Sequence, residues 1–204
     1  MPTPHPSDIE PDHARGWVDT TLAACLHRVN RRDLIRQLLV TLVVTVAAAV
    51  FLQVSVRSYV VDGDSMLPGL KSGDHLLVDQ LAYHFQAPAR GDIVVFRFPR
   101  PWLQQDLVKR IIGLPGDVVE IRPHLVFVNG RPISERYVRN VETYSYGPRR
   151  VPAGEYFVLG DNREVNGREI SYDSHQWGFL PASDIYGRLA LAFWPPADFR
   201  LFGW

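Results

Sequence analysis

Leu125-Val126-Phe127-Val128-Asn129-Gly130-Arg131-Pro132-Ile133 decides the fold class of this chain. Four apolar residues of high strand propensity lead into Asn-Gly, the pair that best tolerates positive φ at both central positions of a tight hairpin turn, and the chain then resumes as extended. Outward from this hairpin the same short-strand pattern recurs. His75–Asp79, Asp92–Phe98, Leu107–Leu114, Val118–Arg122, Tyr156–Leu159 and Ile185–Trp194 are rich in β-branched or aromatic residues and bounded by turn residues. Gly-Asp recurs at positions 63, 73, 91, 116 and 160, mostly beside these runs. Beyond residue 58 no helical periodicity is long enough to supply a helical layer, and no fixed-length repeat is present. The expected fold is all-β, a single antiparallel, barrel-like domain.

The amino-terminal quarter reads differently. Residues 1–16 carry four prolines and little apolar material, which predicts a disordered cytoplasmic leader. Residues 17–37 form a basic juxtamembrane segment. Within it Val18, Leu22, Cys25, Leu26 and Val29 recur at helical spacing, as suits a helix lying on a bilayer or packed on a partner. Leu38–Val56 is then interrupted only by Thr41, Thr45, Gln53 and Ser55. At 1.5 Å per residue this run crosses a hydrocarbon core of roughly 30 Å. A cleaved signal sequence starts earlier and ends in small residues, whereas Val54 and Val56 stand here. Arg28, Arg31, Arg32 and Arg36 precede the span, and Arg57, Asp62 and Asp64 follow it. That asymmetry predicts a single-pass protein of the cell membrane, its amino terminus cytoplasmic and residues 57–204 extracytoplasmic.

Charge and composition exclude several classes. The 22 basic and 22 acidic residues balance, so nothing favours nucleic acid as a partner. The single cysteine, Cys25, forms no internal disulfide, and the seven histidines show no metal-ligand spacing, so neither metal nor cofactor is expected. The basic residues are 20 arginines and two lysines, Lys71 and Lys109. Lysine can surrender its proton when buried and arginine cannot. Lys71 lies in the turn-like Leu70-Lys71-Ser72-Gly73, where a surface role suffices.

Just past the span, Asp62-Gly63-Asp64-Ser65-Met66-Leu67-Pro68-Gly69-Leu70 offers a serine on a tight, glycine-flanked turn. A serine hydroxyl attacks only when a neighbouring base takes its proton. In Asp106-Leu107-Val108-Lys109-Arg110-Ile111-Ile112-Gly113, strand alternation puts Leu107, Lys109 and Ile111 on one face. Desolvation between such neighbours would lower the lysine pKa and leave a neutral amine, a competent base. A lysine that snorkels to water from an edge strand fits the same spacing.

Four motifs in order carry more than any one alone. Gly63-Asp64-Ser65-Met66-Leu67-Pro68, Arg90-Gly91-Asp92-Ile93-Val94-Val95-Phe96, Lys109-Arg110-Ile111-Ile112-Gly113-Leu114-Pro115-Gly116-Asp117, and Gly160-Asp161-Asn162-Arg163 with Ser171-Tyr172-Asp173-Ser174 resemble type I signal peptidases. The resemblance runs from about residue 35 to 194. It implies that Ser65 is the nucleophile and Lys109 the general base of a Ser-Lys dyad, with Ser171 supporting the lysine and Asp173 holding the motif. It implies substrate strands matching Tyr59–Gly63 and Asp106–Lys109, pockets for small residues formed by Val61, Met66, Leu67 and Leu107, and secreted preproteins with A-x-A-like sites as substrates. The second oxyanion donor of some relatives falls here on Gly63, which has no hydroxyl.

The chain departs from the pattern at Gly69, at the insertion 164–170 with its turn-like Asn166-Gly167, and at His175 in an arginine's place. At His175 a weaker, pH-dependent ion pair is expected. A hairpin replaces the large second β-domain of some relatives. Self-cleaving repressors share a Ser-Lys dyad but carry a DNA-binding module instead of a span. A specialised peptidase for pilin, conjugation or organellar precursors, or a non-catalytic peptide-binding β-domain, fits the same motifs. Oligomeric state is not legible in the sequence.

Overall fold

A computed structural model describes residues 31–98, 105–138, 144–165, 168–169 and 171–202. The expected leader, most of the juxtamembrane segment and the turn-like Asn166-Gly167 lie outside these residues. The chain divides into two compact units, residues 1–50 and 51–204.

Helix α1, Arg31–Ser55, has 25 residues and begins seven residues before the apolar run, within the arginines. Asp33 in its first turn suits the positive end of the helix dipole. Its apolar side chains, Leu38, Leu42, Val43, Phe51 and Leu52 among them, are exposed along its length. They mark no single face, as expected of a helix that lipid rather than a protein core surrounds. Two of its hydroxyls bond inside the helix, Thr45 Oγ1 to the Thr41 carbonyl at 2.8 Å and Ser55 Oγ to that of Phe51 at 2.6 Å. Internal pairing of this kind is what a hydrocarbon environment demands. The helix is long and apolar enough to cross a membrane.

The chain then passes into strands β1 (Val56–Val60), β2 (His75–Asp79), β3 (Ile93–Arg97), β4 (Asp106–Gly113), β5 (Val118–Arg122), β6 (Leu125–Val128) and β7 (Arg131–Pro132). There follow β8 (Tyr146–Arg150), β9 (Glu155–Leu159), β10 (Glu164–Val165), β11 (Arg168–Glu169), β12 (Leu180–Pro181), β13 (Ile185–Trp194) and β14 (Arg200–Leu201). Every pairing is antiparallel. The larger sheet runs β1-β2-β13-β3-β4-β9-β12, with β14 on β13, and the smaller runs β7-β6-β5-β8. The fold is therefore mostly antiparallel β-sheet behind one amino-terminal apolar helix. At the turn from β6 to β7, Asn129 and Gly130 adopt φ of 54° and 76°, the paired positive values that Asn-Gly favours.

Strand β3 shows how the core is shared. Ile93 and Val95 join a cluster with Val61, Met66, Leu70, Leu76, Val78, Leu189 and Ala192, while Val94 and Phe96 point oppositely into a cluster with Ile111, Val158, Trp177 and Leu180. A third cluster, Ile112, Val119, Ile121, Val126, Val128, Val151, Phe157 and Leu159, seats the small sheet on β4 and β9. Tyr59 beside β1's end and Val108 from β4, with three strands between, pack on the first cluster together. The large sheet is thus coiled enough to bring the β1 edge toward β4, consistent with the inherent twist of sheets.

Candidate active site

The serine motif forms a loop between β1 and β2 that is closed at its base. Val61 N donates to Asp74 O and Gly73 N to Val61 O, both at 2.9 Å. Inside it, Leu67 N donates to Asp64 O at 3.2 Å and Leu70 N to Met66 O at 2.8 Å. Met66 and Leu70 are buried in the first core cluster, so the apolar positions pin the loop down and leave Ser65 half-buried at its rim. Gly63 holds φ of +102°, a conformation that disfavours a side chain although the space around it is open. The other anchor is Asn162, whose backbone N–H donates to Ser65 O at 3.0 Å and whose side-chain amide donates to Asp64 O at 2.9 Å.

Lys109 lies on β4 opposite Val94, on the face that sends Leu107 and Ile111 to the second cluster. It is 2% exposed. Its ammonium nitrogen donates to Ser171 Oγ at 2.8 Å and stands 3.4 Å from Asp173 Oδ1. Asp173 also accepts from the Ser171 hydroxyl and, at 3.0 Å, from the Gly160 N–H. Burial pushes the Lys109 pKa below its ordinary 10.5, against the opposing pull of the Asp173 carboxylate.

Gly160 links the two halves. A Cβ there would fall 2.1 Å from Ser171 Oγ and 2.4 Å from Ser65 O. The serine loop and the lysine's partner therefore converge on the same face of a residue that only glycine can be.

A second buried network flanks the site. Arg110 makes two bonds to Asp161, at 2.9 and 2.6 Å, donates to Gly91 O at 2.9 Å, and lies 3.9 Å over the Tyr137 ring. Arg163 is fully buried, with Nη2 2.7 Å from Glu135 Oε1, which also accepts from the Tyr137 hydroxyl at 2.8 Å. In the sequence Arg110, Asp161 and Arg163 stand inside the motifs without an assigned role, and Glu135 and Tyr137 lie outside any motif. The available signal was Arg110 beside Lys109 on the opposite face of a buried strand, a charge that requires a partner.

The expected substrate residues separate into two groups. Tyr59, Val61 and Met66 share the first cluster, whereas Leu107 faces the second; Leu67 is half-buried beside Ser65. Strand β4 pairs with β3 over Asp106–Arg110 but with β9 only from Arg110 onward. Among the described residues, the Asp106–Lys109 backbone is thus open on one side, and β1 ends the same sheet. The Tyr59 hydroxyl is pushed above its ordinary pKa by burial, against the opposing charge of Arg57. His175, expected to pair as the arginine it replaces, stacks on Tyr144 at 4.2 Å between ring centroids, with Nδ1 3.3 Å from the tyrosine hydroxyl. No group of three or more His, Cys, Asp or Glu side chains suited to a metal occurs among the described residues.

The comparisons with known proteins agree on one family. The family model described as signal peptidase, peptidase S26, matches residues 32–194. The chain is 40% identical over 162 residues to signal peptidase I of Leptolyngbya laminosa, covering 74% of this chain and 77% of that one. It is 40% identical over 161 residues to the probable signal peptidase I-2 of Synechocystis sp., covering 74% and 71%. To the chloroplastic thylakoidal processing peptidase 1 of Arabidopsis thaliana it is 31% identical over 191 residues, covering 89% and 52%. With an antiparallel β-domain behind one apolar helix and a match spanning most of its length, this chain belongs to the signal peptidase family, peptidase S26, serine peptidases that act on secreted preproteins.

Proposed function

We propose that the protein is a membrane-anchored endopeptidase that removes signal peptides from exported preproteins after small-x-small sites, with Ser65 as nucleophile and neutral Lys109 as general base. The observation that carries this reading is the burial of Lys109, hydrogen-bonded to Ser171, whose hydroxyl meets the Ser65 carbonyl over the one face of Gly160 where a side chain would project. A buried lysine with a lowered pKa is costly to fold and useful as a base near neutral pH.

In this mechanism the extended end of the signal peptide pairs between the β1 edge and Asp106–Lys109, by strand addition. Ser65 Oγ attacks the scissile carbonyl carbon as its proton passes to Lys109 Nζ. The Ser65 N–H stabilises the resulting oxyanion. Collapse expels the new amino terminus, which takes the proton from Lys109 and leaves the signal peptide esterified to Ser65. Lys109 then accepts a proton from water, hydroxide attacks the ester, and the second collapse restores Ser65 and frees the signal peptide. Ser171 and Asp173 hold the amine in place throughout. The arginines ahead of the span support an amino terminus in the cytoplasm and a catalytic domain on the side where exported chains emerge.

The test is cleavage of a preprotein carrying an A-x-A site by the detergent-solubilised full chain, with the new amino terminus mapped by mass spectrometry. The wild type cuts after the second alanine, and Ser65→Ala and Lys109→Met, folded by circular dichroism, do not. Cleavage by either variant, or a folded wild type that binds the peptide without cutting it, would refute the assignment.

A further inference from the structure

The serine loop has a second anchor, and it comes from beyond the family match. The family model ends at residue 194, whereas the chain continues through a 3-10 turn, Pro196–Asp198, into β14, which folds back on β13 with Leu201 opposite Leu191 and Arg200 opposite Ala192. Phe202, just past β14, packs on the core cluster that contains Met66 and donates its N–H to Ala190 O at 3.0 Å.

One cation and one carboxylate of this strap, Arg200 and Asp198, reach across to one carboxylate and one cation of the serine loop, Asp74 and Lys71. Arg200 Nη2 lies 3.0 Å from Asp74 Oδ2 and Nη1 donates to the Pro68 carbonyl at 3.3 Å, while Nε returns to Asp198 O at 3.1 Å. Asp74 is buried, and the same Oδ2 also accepts the Lys71 N–H at 2.9 Å. The Lys71 ammonium in turn contacts both oxygens of Asp198, at 3.0 and 3.2 Å. Lys71 is one of only two lysines in the chain.

We infer that Arg200, seconded by the Lys71–Asp198 pair, is a positioning residue for cleavage, because it fixes the carbonyl-terminal half of the serine loop against the strap while Asn162 fixes the amino-terminal half. The inference rests on Ser65 being the nucleophile. Asn162 holds the carbonyls of Asp64 and Ser65, and Arg200 holds that of Pro68, so Ser65 sits on a segment clamped from two directions. The geometry needed for attack is narrow, and displacement on the order of 1 Å can cost about a hundredfold in rate. Arg200 does this with a planar fork that reaches a carboxylate and a carbonyl at once, which a lysine cannot reproduce. Lys71–Asp198 is more exposed and adds less.

Two readouts on the full detergent-solubilised chain test it. Amide hydrogen exchange followed by mass spectrometry rises in residues 64–70 of Arg200→Ala and stays unchanged in 106–113. Preprotein cleavage by the same variant loses kcat by about tenfold or more with KM within about twofold, a split expected of lost positioning. Arg200→Lys, which keeps the Asp74 charge pair without the Pro68 bond, falls between. Lys71→Asp and Asp198→Lys each lower kcat about twofold to threefold, and the charge-swapped double variant restores it. Unchanged exchange in 64–70, looser exchange with wild-type kcat, or a parallel loss of kcat, KM and melting temperature would each overturn the inference. Cleavage by Ser65→Ala would instead overturn the assignment of the nucleophile, whatever the exchange data show.

Discussion

Lys109 takes its amine to a place where water cannot solvate it, and that burial governs both its chemistry and its contribution to stability. Its folded pKa lies below 10.5, the value it regains on unfolding. Between the two values the unfolded chain binds the extra proton, so stability rises with pH across that window and is flat above 10.5. Below the folded value both states are protonated and the burial cost is felt in full. Urea unfolding between pH 6 and 10.5 should therefore show wild type gaining stability relative to Lys109→Met, with no gain below the folded pKa; a declining difference would contradict the assigned direction. Ser171→Ala removes the acceptor 2.8 Å from the amine. We expect kcat to fall about tenfold to a hundredfold with little change in KM, a fraction of the roughly 10²–10⁴ that a positioned base contributes. An unaltered kcat would show that Asp173 alone suffices to hold the lysine. The alternation that groups Lys109 with Leu107 and Ile111 was legible in the sequence, because strand period depends on nothing but local geometry. The partners of the lysine were not, since Ser171 lies 62 positions away and only the motif resemblance pointed to it.

At the scale of elements, strands were readable where β-branched and aromatic residues run together. The bounds read for β2, β5, β6 and β13 coincide with the structure. Strand β8, Tyr146-Gly147-Pro148-Arg149-Arg150, went unread because glycine and proline argue against a strand. It is tolerated because β8 ends the small sheet, as the proline-bearing β7 and β12 end theirs, leaving one side without a ladder to break. The strand expected over Tyr59–Gly63 from the resemblance lies instead over Val56–Val60, and its start was hidden because no turn residue divides it from the apolar helix. The junction of the serine loop with the strand β9 side of the site yields a sharper test. At Gly160 an added methyl would overlap a side chain already held by two partners and a backbone carbonyl. Gly160→Ala should destabilise the domain by about 1–3 kcal/mol, the usual cost of overpacking, and lower kcat beyond what the loss of folded protein explains. Wild-type stability and turnover together would show that the two sides of the site are less closely joined than the geometry indicates.

For the whole molecule, the anchor and the catalytic domain were the clearest features of the sequence, since a 19-residue apolar run and a repeated short-strand pattern need no tertiary information. What the sequence could not supply was the strap, whose ion pairs join residues 126 and 127 positions apart. The arginine asymmetry predicts the topology across the membrane, which can be read with a membrane-impermeant thiol reagent on intact cells. Phe85→Cys, at a site 86% exposed, should be labelled from outside, and Cys25 only after lysis. The reverse pattern would place the domain in the cytoplasm and remove it from exported substrates.

The most direct measurement of the central claim is the pH dependence of kcat/KM for preprotein cleavage. The account predicts an activity that climbs tenfold per pH unit on its acid side and levels at a pKa clearly below 10.5, the ionisation of a lysine made neutral by burial. A profile that levels only at or above 10.5, or one with no such ionisation before the protein unfolds, would mean that Lys109 is not the base that activates Ser65.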